Sequence, residues 1–227
     1  MYGYGYGYYG FDWTYILLII GMLLSLAASA RLKSTFSYYR RIRSASGLTG
    51  AETAKRILQA AGITDVHVRA ISGSLTDHYD PRTKTVSLSE DIYGQTSLAA
   101  VGVAAHECGH AIQHAIGYAP LEFRSAIVPV ANFGSTLSWP LFLIGLFSGI
   151  RPLVTAGIVL FSLAVLFQLV TLPVEINASS RALKMLQSTG ILGTDETRGA
   201  RKVLTAAAMT SQVPRRATGR CARTGDG

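Results

Sequence analysis

Three long apolar runs divide the chain and predict three membrane-spanning helices. The first covers residues 13–30, and two more, 127–150 and 153–174, are separated only by an Arg-Pro pair. At about 1.5 Å per residue, a helix over the first run reaches about 27 Å, close to the thickness of the hydrocarbon core of a bilayer. Because the break between the later runs is so short, we expect residues 127–174 to form a transmembrane helical hairpin.

Shorter patterns between the first run and the hairpin predict a small α+β region over residues 31–126. A Thr-x-x-Glu capping box at Thr49 begins one predicted helix. Residues 66–71 and 83–88 are rich in β-branched side chains and alternate with period two, so they predict two strands. Apolar residues at helical intervals over 97–116 predict a further helix.

The charge pattern orients these segments in a membrane. Only 15% of the residues are charged and the mean hydropathy is +0.30, which is unlike an ordinary soluble domain. The net charge of +8 lies mainly beside apolar runs and in the tail, which favours anionic lipid as a partner and argues against nucleic acid. Basic residues from Arg31 to Arg43 follow the first run directly, so the positive-inside rule places residues 31–126 in the cytoplasm. We therefore expect a multi-pass protein of the cell membrane, with residues 175–209 on the same cytoplasmic side.

The strongest chemical signal is His106-Glu107-Cys108-Gly109-His110, inside the helix predicted over 97–116. Two histidines four residues apart share a helix face and can ligate one zinc ion. Glu107 beside them can accept a proton from the attacking water and pass it to the leaving amine. The bare pattern occurs by chance in unrelated proteins, but the surrounding small residues favour a metal site. We therefore predict His106 and His110 as ligands and Glu107 as the catalytic base.

A third ligand is needed, because catalytic zinc sites keep three protein ligands and one open position. Glu175 directly follows the hairpin, and the predicted topology returns it to the side of the motif. An ionisable group at this depth usually has a function, although a glutamate that only ends the span is the alternative. The sequence thus predicts one Zn²⁺ per chain, held by His106, His110 and Glu175.

Four further polar residues are candidates for supporting the site or binding substrate. His114 repeats the four-residue spacing after His110, but no glutamate follows His110, so a supporting or surface role is favoured over a second ligand pair. His78 lies in a turn, where it could contact substrate or form a structural hydrogen bond. Asn177 and Arg181 follow Glu175 at helical spacing and are either supporting residues or solvated positions. Cys108 points away from the ligand face and is interpreted as a packing residue.

Together these segments resemble the YugP-type membrane zinc metallopeptidases of bacteria over about residues 9–209. The resemblance rests on the Tyr/Gly leader with its span, on Leu75 to Ser89 (LTDHYDPRTKTVSLS), on AAHECGHAIQH, and on LPVEINASSRAL from Leu172. It implies a small zincin-like α+β domain built into membrane helices, similar in gluzincin layout to HtpX and the CAAX prenyl proteases, with the third ligand on a helix after a hairpin. It implies no particular substrate.

The two chain ends depart from the rest of the pattern. Residues 1–12 form a Tyr/Gly-rich leader, and residues 210–227 are basic and nearly free of apolar side chains, which predicts disorder. In the family that the chain resembles, the alanine-rich helix continues into another apolar segment. We therefore hypothesise that the reading frame is altered near Thr210. Resequencing of the locus tests this, and an intact gene with no apolar continuation in another frame would contradict it.

The sequence thus predicts an α-helical membrane protein with about three spans, a short β-sheet and a metal-binding HExxH helix. The expected function is a membrane-bound zinc metalloendopeptidase acting on a peptide or membrane-protein substrate, which would lie along residues 83–88 as an edge strand. The alternative is a catalytically inactive zinc-binding or scaffold protein. A lipid-interacting structural protein would leave the His and Glu constellation unexplained. Neither cleavage specificity nor oligomeric state follows from the sequence.

Overall fold

A computed structural model describes residues 13–210, without the side chains of residues 13–15, 17, 18, 24, 25, 28, 32, 194, 207, 209 and 210. The predicted leader at 1–12 and the predicted tail beyond Thr210 lie outside the described residues. The hypothesis of an altered reading frame concerns the same tail and stays untested.

Helices make up most of the described chain, and three short strands lie together in its first half. In chain order the elements are α1 (Trp13–Tyr39), α2 (Gly50–Ala60), β1 (His67–Ile71), β2 (His78–Asp80), β3 (Thr85–Ser89), α3 (Glu90–Tyr93), α4 (Leu98–Ala115), α5 (Ala119–Ser148), α6 (Arg151–Ser188) and α7 (Thr194–Thr210). The predicted class, mostly helical with a small sheet and long apolar helices, is correct in this coarse form.

Local capping fixes the starts of two helices. The Thr49 side chain accepts a hydrogen bond from the Glu52 backbone, and the Glu52 carboxylate accepts one from the Thr49 backbone at 2.8 Å, so the predicted capping box is confirmed. Ser97 begins α4 in the same way, because its hydroxyl accepts from the Ala100 amide at 3.2 Å.

The sheet has the strand order β1-β3-β2, with β3 in the centre. β3 pairs in parallel with β1 and antiparallel with β2, so every β3 position has a neighbouring strand on at least one side. Strands at 66–71 and 83–88 were expected and are present, whereas the three-residue β2 was not expected. The expectation that a substrate adds to residues 83–88 as an edge strand is wrong, because β3 is already paired on both sides at Thr85 to Ser87.

One hydrophobic core joins residues 31–126 to residues 175–209, the two regions that are predicted to lie in the cytoplasm. Every residue of β3 is buried, and α4 is buried from Leu98 to Ala111. The same core takes side chains from α2, the end of α6 and α7. Its largest fully buried apolar members are Ile57, Val86, Leu88, Ile92, Val101, Leu186 and Leu204.

Within residues 13–210, two helices, α5 and α6, are long and apolar enough to cross a membrane, and their apolar segments are largely exposed. Each is longer than the apolar run predicted for it, 127–150 or 153–174, because α5 begins at Ala119 and α6 continues to Ser188. Pro173 lies inside α6 without ending it, and the residues beyond it bury their small and apolar face in the core. The predicted first span, 13–30, lies in α1, and its crossing of a membrane stays a prediction.

α4 and α6 lie very close together at Gly109. A Cβ built on Gly109 would overlap the Ala178 carbonyl group, so at this point the two helix backbones touch. A side chain of any size here must push the helices apart.

We predict that Gly109→Ala destabilises the fold by about 1–3 kcal/mol, the usual range for overpacking a close contact. Unfolding in detergent with a chelator present, so that metal does not contribute, measures the effect. Gly134→Ala is the matched control, because a Cβ there meets only Leu160 at 3.7 Å, an ordinary contact distance. Equal unfolding midpoints for the two variants would contradict the prediction.

Candidate metal centre

Three buried side chains converge between α4 and α6. His106 and His110 come from adjacent turns of α4, and Glu175 comes from α6. One Glu175 oxygen, Oε2, lies 3.1 Å from His106 Nε2 and 3.5 Å from His110 Nε2. One ligand atom of each residue lies within 4.8 Å of the others, a spacing that fits ligands of a single ion. The residues that sequence reasoning proposed as ligands are therefore brought together.

The hydrogen bonds of His106 fix which ring nitrogen carries its proton. The Ser179 hydroxyl donates its only hydrogen to the Leu204 carbonyl at 3.1 Å and lies 3.1 Å from His106 Nδ1. The hydroxyl can therefore only accept from Nδ1, which must carry hydrogen. In the neutral ring, His106 Nε2 is then an unprotonated electron-pair donor facing Glu175.

His110 is oriented by the fully buried Gln113. The Gln113 amide nitrogen donates to the Val174 carbonyl at 2.9 Å and to Asn177 Oδ1 at 3.0 Å. Its amide oxygen therefore faces His110 Nδ1, 3.0 Å away, and accepts from it. The neutral form of His110 thus also presents an unprotonated Nε2 to Glu175.

The arrangement favours positive charge at its centre and could hold a metal ion. With both histidines neutral, two nitrogen lone pairs and a carboxylate oxygen face one another without a hydrogen between them. Burial lowers the pKa of His110, but the Glu175 charge, the hydrogen bond to Glu175 and the Glu107 charge together outweigh burial, so the pKa is raised. Two imidazole nitrogens and one carboxylate oxygen are the donor types that Zn²⁺ prefers, so the residues fit that ion.

The second Glu175 oxygen is held by a neighbouring charge. Arg124, near the start of α5, places its NH1 atom 2.6 Å from Glu175 Oε1. The contact is an ion pair without hydrogen-bond geometry, and Oε1 has no hydrogen-bond donor within the described part of the chain. Oε2 is thereby left as the oxygen that faces the histidines.

Two further buried groups adjoin Glu107, which is itself buried beside the ligands. Asp77 accepts hydrogen bonds from the Ser89 amide at 2.7 Å and from its hydroxyl at 3.1 Å. The pKa of Asp77 is raised, first by burial and further by the Glu107 charge. Burial also raises the pKa of the Cys108 thiol, whose sulfur lies 3.6 Å from the Ala54 carbonyl oxygen. Cys108 is therefore a protonated packing residue, as its position in the motif indicated.

The remaining candidates lie at different distances from the centre. Asn177 is connected to the centre through Gln113, whose amide nitrogen donates to Asn177 Oδ1. The same oxygen accepts a hydrogen bond from Arg181 Nε at 2.7 Å. His114 bonds the Tyr79 hydroxyl at 2.8 Å, and burial is the main cause that raises the pKa of Tyr79 to about 12. His78 bonds the Thr76 carbonyl oxygen at 2.9 Å. The supporting roles predicted for these residues stay predictions.

Sequence reasoning missed four residues that touch the centre or adjoin it: Gln113, Ser179, Arg124 and Asp77. Gln113 and Ser179 carried a usable signal, because they lie three residues after His110 and four after Glu175, on the corresponding helix faces. Arg124 and Asp77 carried none, since only tertiary packing brings them near.

Comparison with known proteins identifies the family of the chain. The family model described as "Putative neutral zinc metallopeptidase" matches residues 14–213, and the chain belongs to that family. Among curated proteins it is similar to "Putative membrane protease YugP" of Bacillus subtilis (strain 168), with 49% identity over 197 residues, 86% of this chain and 88% of that protein. No solved structure gives a significant match.

We predict that Gln113→Met weakens zinc binding by about 10- to 100-fold, the usual cost of losing a partner that orients a ligand. The variant keeps the side-chain length but leaves His110 Nδ1 without its acceptor. Competition with a chromophoric chelator measures the affinity. Gln59→Met, on the exposed face of α2, is the control and should bind like the wild type. Unchanged affinity in Gln113→Met would show that the bond to His110 is unimportant.

Proposed function

We propose that this protein is a membrane-bound zinc metalloendopeptidase in which His106, His110 and Glu175 bind one Zn²⁺ and Glu107 is the catalytic base. The observation that carries the proposal is the convergence of two histidine nitrogens and one carboxylate oxygen on a buried point beside Glu107. Membership of a zinc metallopeptidase family supports the same reaction class.

The chemistry follows from the types of group present. Three protein ligands leave a fourth position open for water or substrate, which distinguishes catalytic from structural zinc sites. Bound zinc supplies Lewis acidity, which polarises the scissile carbonyl group and lowers the pKa of the attacking water. Glu107 accepts the proton that the water loses and delivers it to the leaving amine, so that one C–N bond is exchanged for a carboxylate and an amine. No covalent intermediate with the chain is required.

The membrane setting is part of the proposal. The helices α5 and α6 would cross the bilayer, and residues 13–30 of α1 would form a third span. The basic residues from Arg31 to Arg43 favour a cytoplasmic location for the region 31–126 and for the residues from 175 to 209. The zinc centre would then face the cytoplasm, at the inner surface of the cell membrane.

The alternative is a protein of the same fold that binds zinc without cleaving peptides. Glu107 argues against it, because a site that only holds metal has no use for a buried carboxylate next to the ligands. The two functions can be distinguished by changing Glu107. A peptidase should lose its activity and keep its metal, whereas a protein that only binds zinc has no activity to lose.

We predict that Glu107→Gln abolishes cleavage of an unfolded test protein in detergent while the purified variant keeps one zinc per chain. Glu175→Gln should lose both cleavage and bound zinc, because the substitution removes the negative charge of a ligand. Cleavage followed on gels and zinc measured by mass spectrometry test this on the same samples. Glu90→Gln, at an exposed glutamate of α3, is the control and should retain both properties.

Two results would count against the proposal in different ways. Zinc at wild-type level with no cleavage by the wild type would favour the inactive zinc-binding protein. Full cleavage by Glu107→Gln would remove Glu107 from the mechanism.

A further inference from the structure

The edge of the membrane-spanning surface can be located on both helices of the hairpin. The apolar run on α5 begins at residue 127, and the apolar run on α6 ends at residue 174. Arg124 and Glu175, the first charged residues outside these limits, form an ion pair of 2.6 Å. The two limits therefore lie at the same level along the axis of the hairpin. Glu175 lies at that level.

Large apolar side chains remain exposed at the level of the candidate metal centre. Phe123 precedes Arg124 and is 55% exposed, and Ile176 follows Glu175 and is 54% exposed. Ile116, just beyond the end of α4, is 56% exposed. Residues from three chain segments thus carry the apolar surface of the hairpin up to the centre, which is the composition expected for a surface in contact with lipid.

The depth of the centre follows from helix geometry. Glu175 is one residue, or about 1.5 Å along the axis, beyond the apolar run, whereas each headgroup layer is about 5–8 Å thick. α4 leads to the same height, because only residues 116–118 separate its end from α5. In the membrane setting proposed above, the centre would therefore lie within the headgroup layer rather than in bulk water.

We propose that the substrates of this centre are membrane proteins, cut at peptide bonds in the headgroup layer within about six residues of the end of a membrane span. An extended chain that leaves the membrane at right angles advances about 3.3–3.6 Å per residue and crosses a layer of about 5–8 Å in two or three residues, and the limit of about six allows for a segment that runs partly along the membrane surface. A soluble polypeptide must enter the headgroup layer to reach the centre, whereas a segment next to a span is already there at high effective concentration. This inference rests on the proposed peptidase function.

The depth can be measured without activity. Val165, Ile176 and Gln187 are exposed and spaced eleven residues apart, which is close to three turns, so they form a ruler along one face of α6. Spin labels on Val165→Cys, Ile176→Cys and Gln187→Cys, each combined with Cys221→Ser in lipid vesicles, report their surroundings through collisions with oxygen and with a water-soluble nickel complex. We expect them in the hydrocarbon core, the headgroup layer and water respectively. A label at 176 with the water accessibility of 187 would overturn the inference.

The substrate class is tested with a single-span protein whose span is followed by a repeated tetrapeptide linker and a folded domain. The repeat presents chemically identical bonds at increasing distance from the membrane. In vesicles of phosphatidylcholine and phosphatidylglycerol, mass spectrometry should find cuts confined to about the first six linker residues, on the order of tenfold or more faster than in the same linker without its span. Glu107→Gln in the same vesicles identifies cuts made by contaminants.

The outcomes separate the two proposals. Cuts spread evenly along the linker, or equal cleavage without the span, would overturn the inference and leave the peptidase function standing. Absence of cleavage both here and for the unfolded test protein in detergent would remove the peptidase function, and the inference with it.

Discussion

The contact between α4 and α6 at Gly109 is the constraint on which the rest of the centre depends. Because Gly109 has no side chain, the Ala178 carbonyl lies against α4 between the turns that carry His106 and His110. Only at this separation can a carboxylate on α6 reach both rings, with its Oε2 atom at 3.1 and 3.5 Å from the two nitrogens. The narrow, alanine-rich surface of α4 serves the same close packing.

The buried polar groups around this contact specify one arrangement of the helices. Ser179 connects His106 to a carbonyl of α7, and Gln113 connects His110 to a carbonyl of α6. A shift of either helix along its axis would separate these pairs and leave buried donors and acceptors unmatched, which costs about 1–3 kcal/mol for each group. The same bonds hold both histidines with Nε2 toward Glu175. The register of the helices and the direction of the ligand atoms are therefore set by one hydrogen-bond network.

Much of the centre could be predicted from local spacing, and the rest required tertiary structure. His106 and His110 follow from a four-residue interval on a helix, and Glu175 follows from its position just past an apolar run. β2 could not be predicted, because three residues show no period and pair only where β3 supplies an edge. Gln113 and Ser179 lie at helical spacing from the ligands, but the backbone carbonyls that they also bond belong to distant residues and leave no mark on the sequence. The limits of α5 and α6 were missed because the helices do not end where the apolar runs end, and α6 continues past residue 174 with its small and apolar face in the core.

The continuity of α6 makes the centre inseparable from the long apolar helices α5 and α6. Residues 31–126 contain both histidines and Glu107, but Glu175 and its partner Ser179 lie on α6, and the shared core also needs α7. Arg124, which holds the second Glu175 oxygen, lies on α5. Since α6 runs without interruption from Arg151 to Ser188, the packing that places Glu175 against α4 also fixes its height along the apolar hairpin. Moving the centre away from the level of the apolar surface would require breaking α6 itself, because a single helix determines both the third donor atom and its depth.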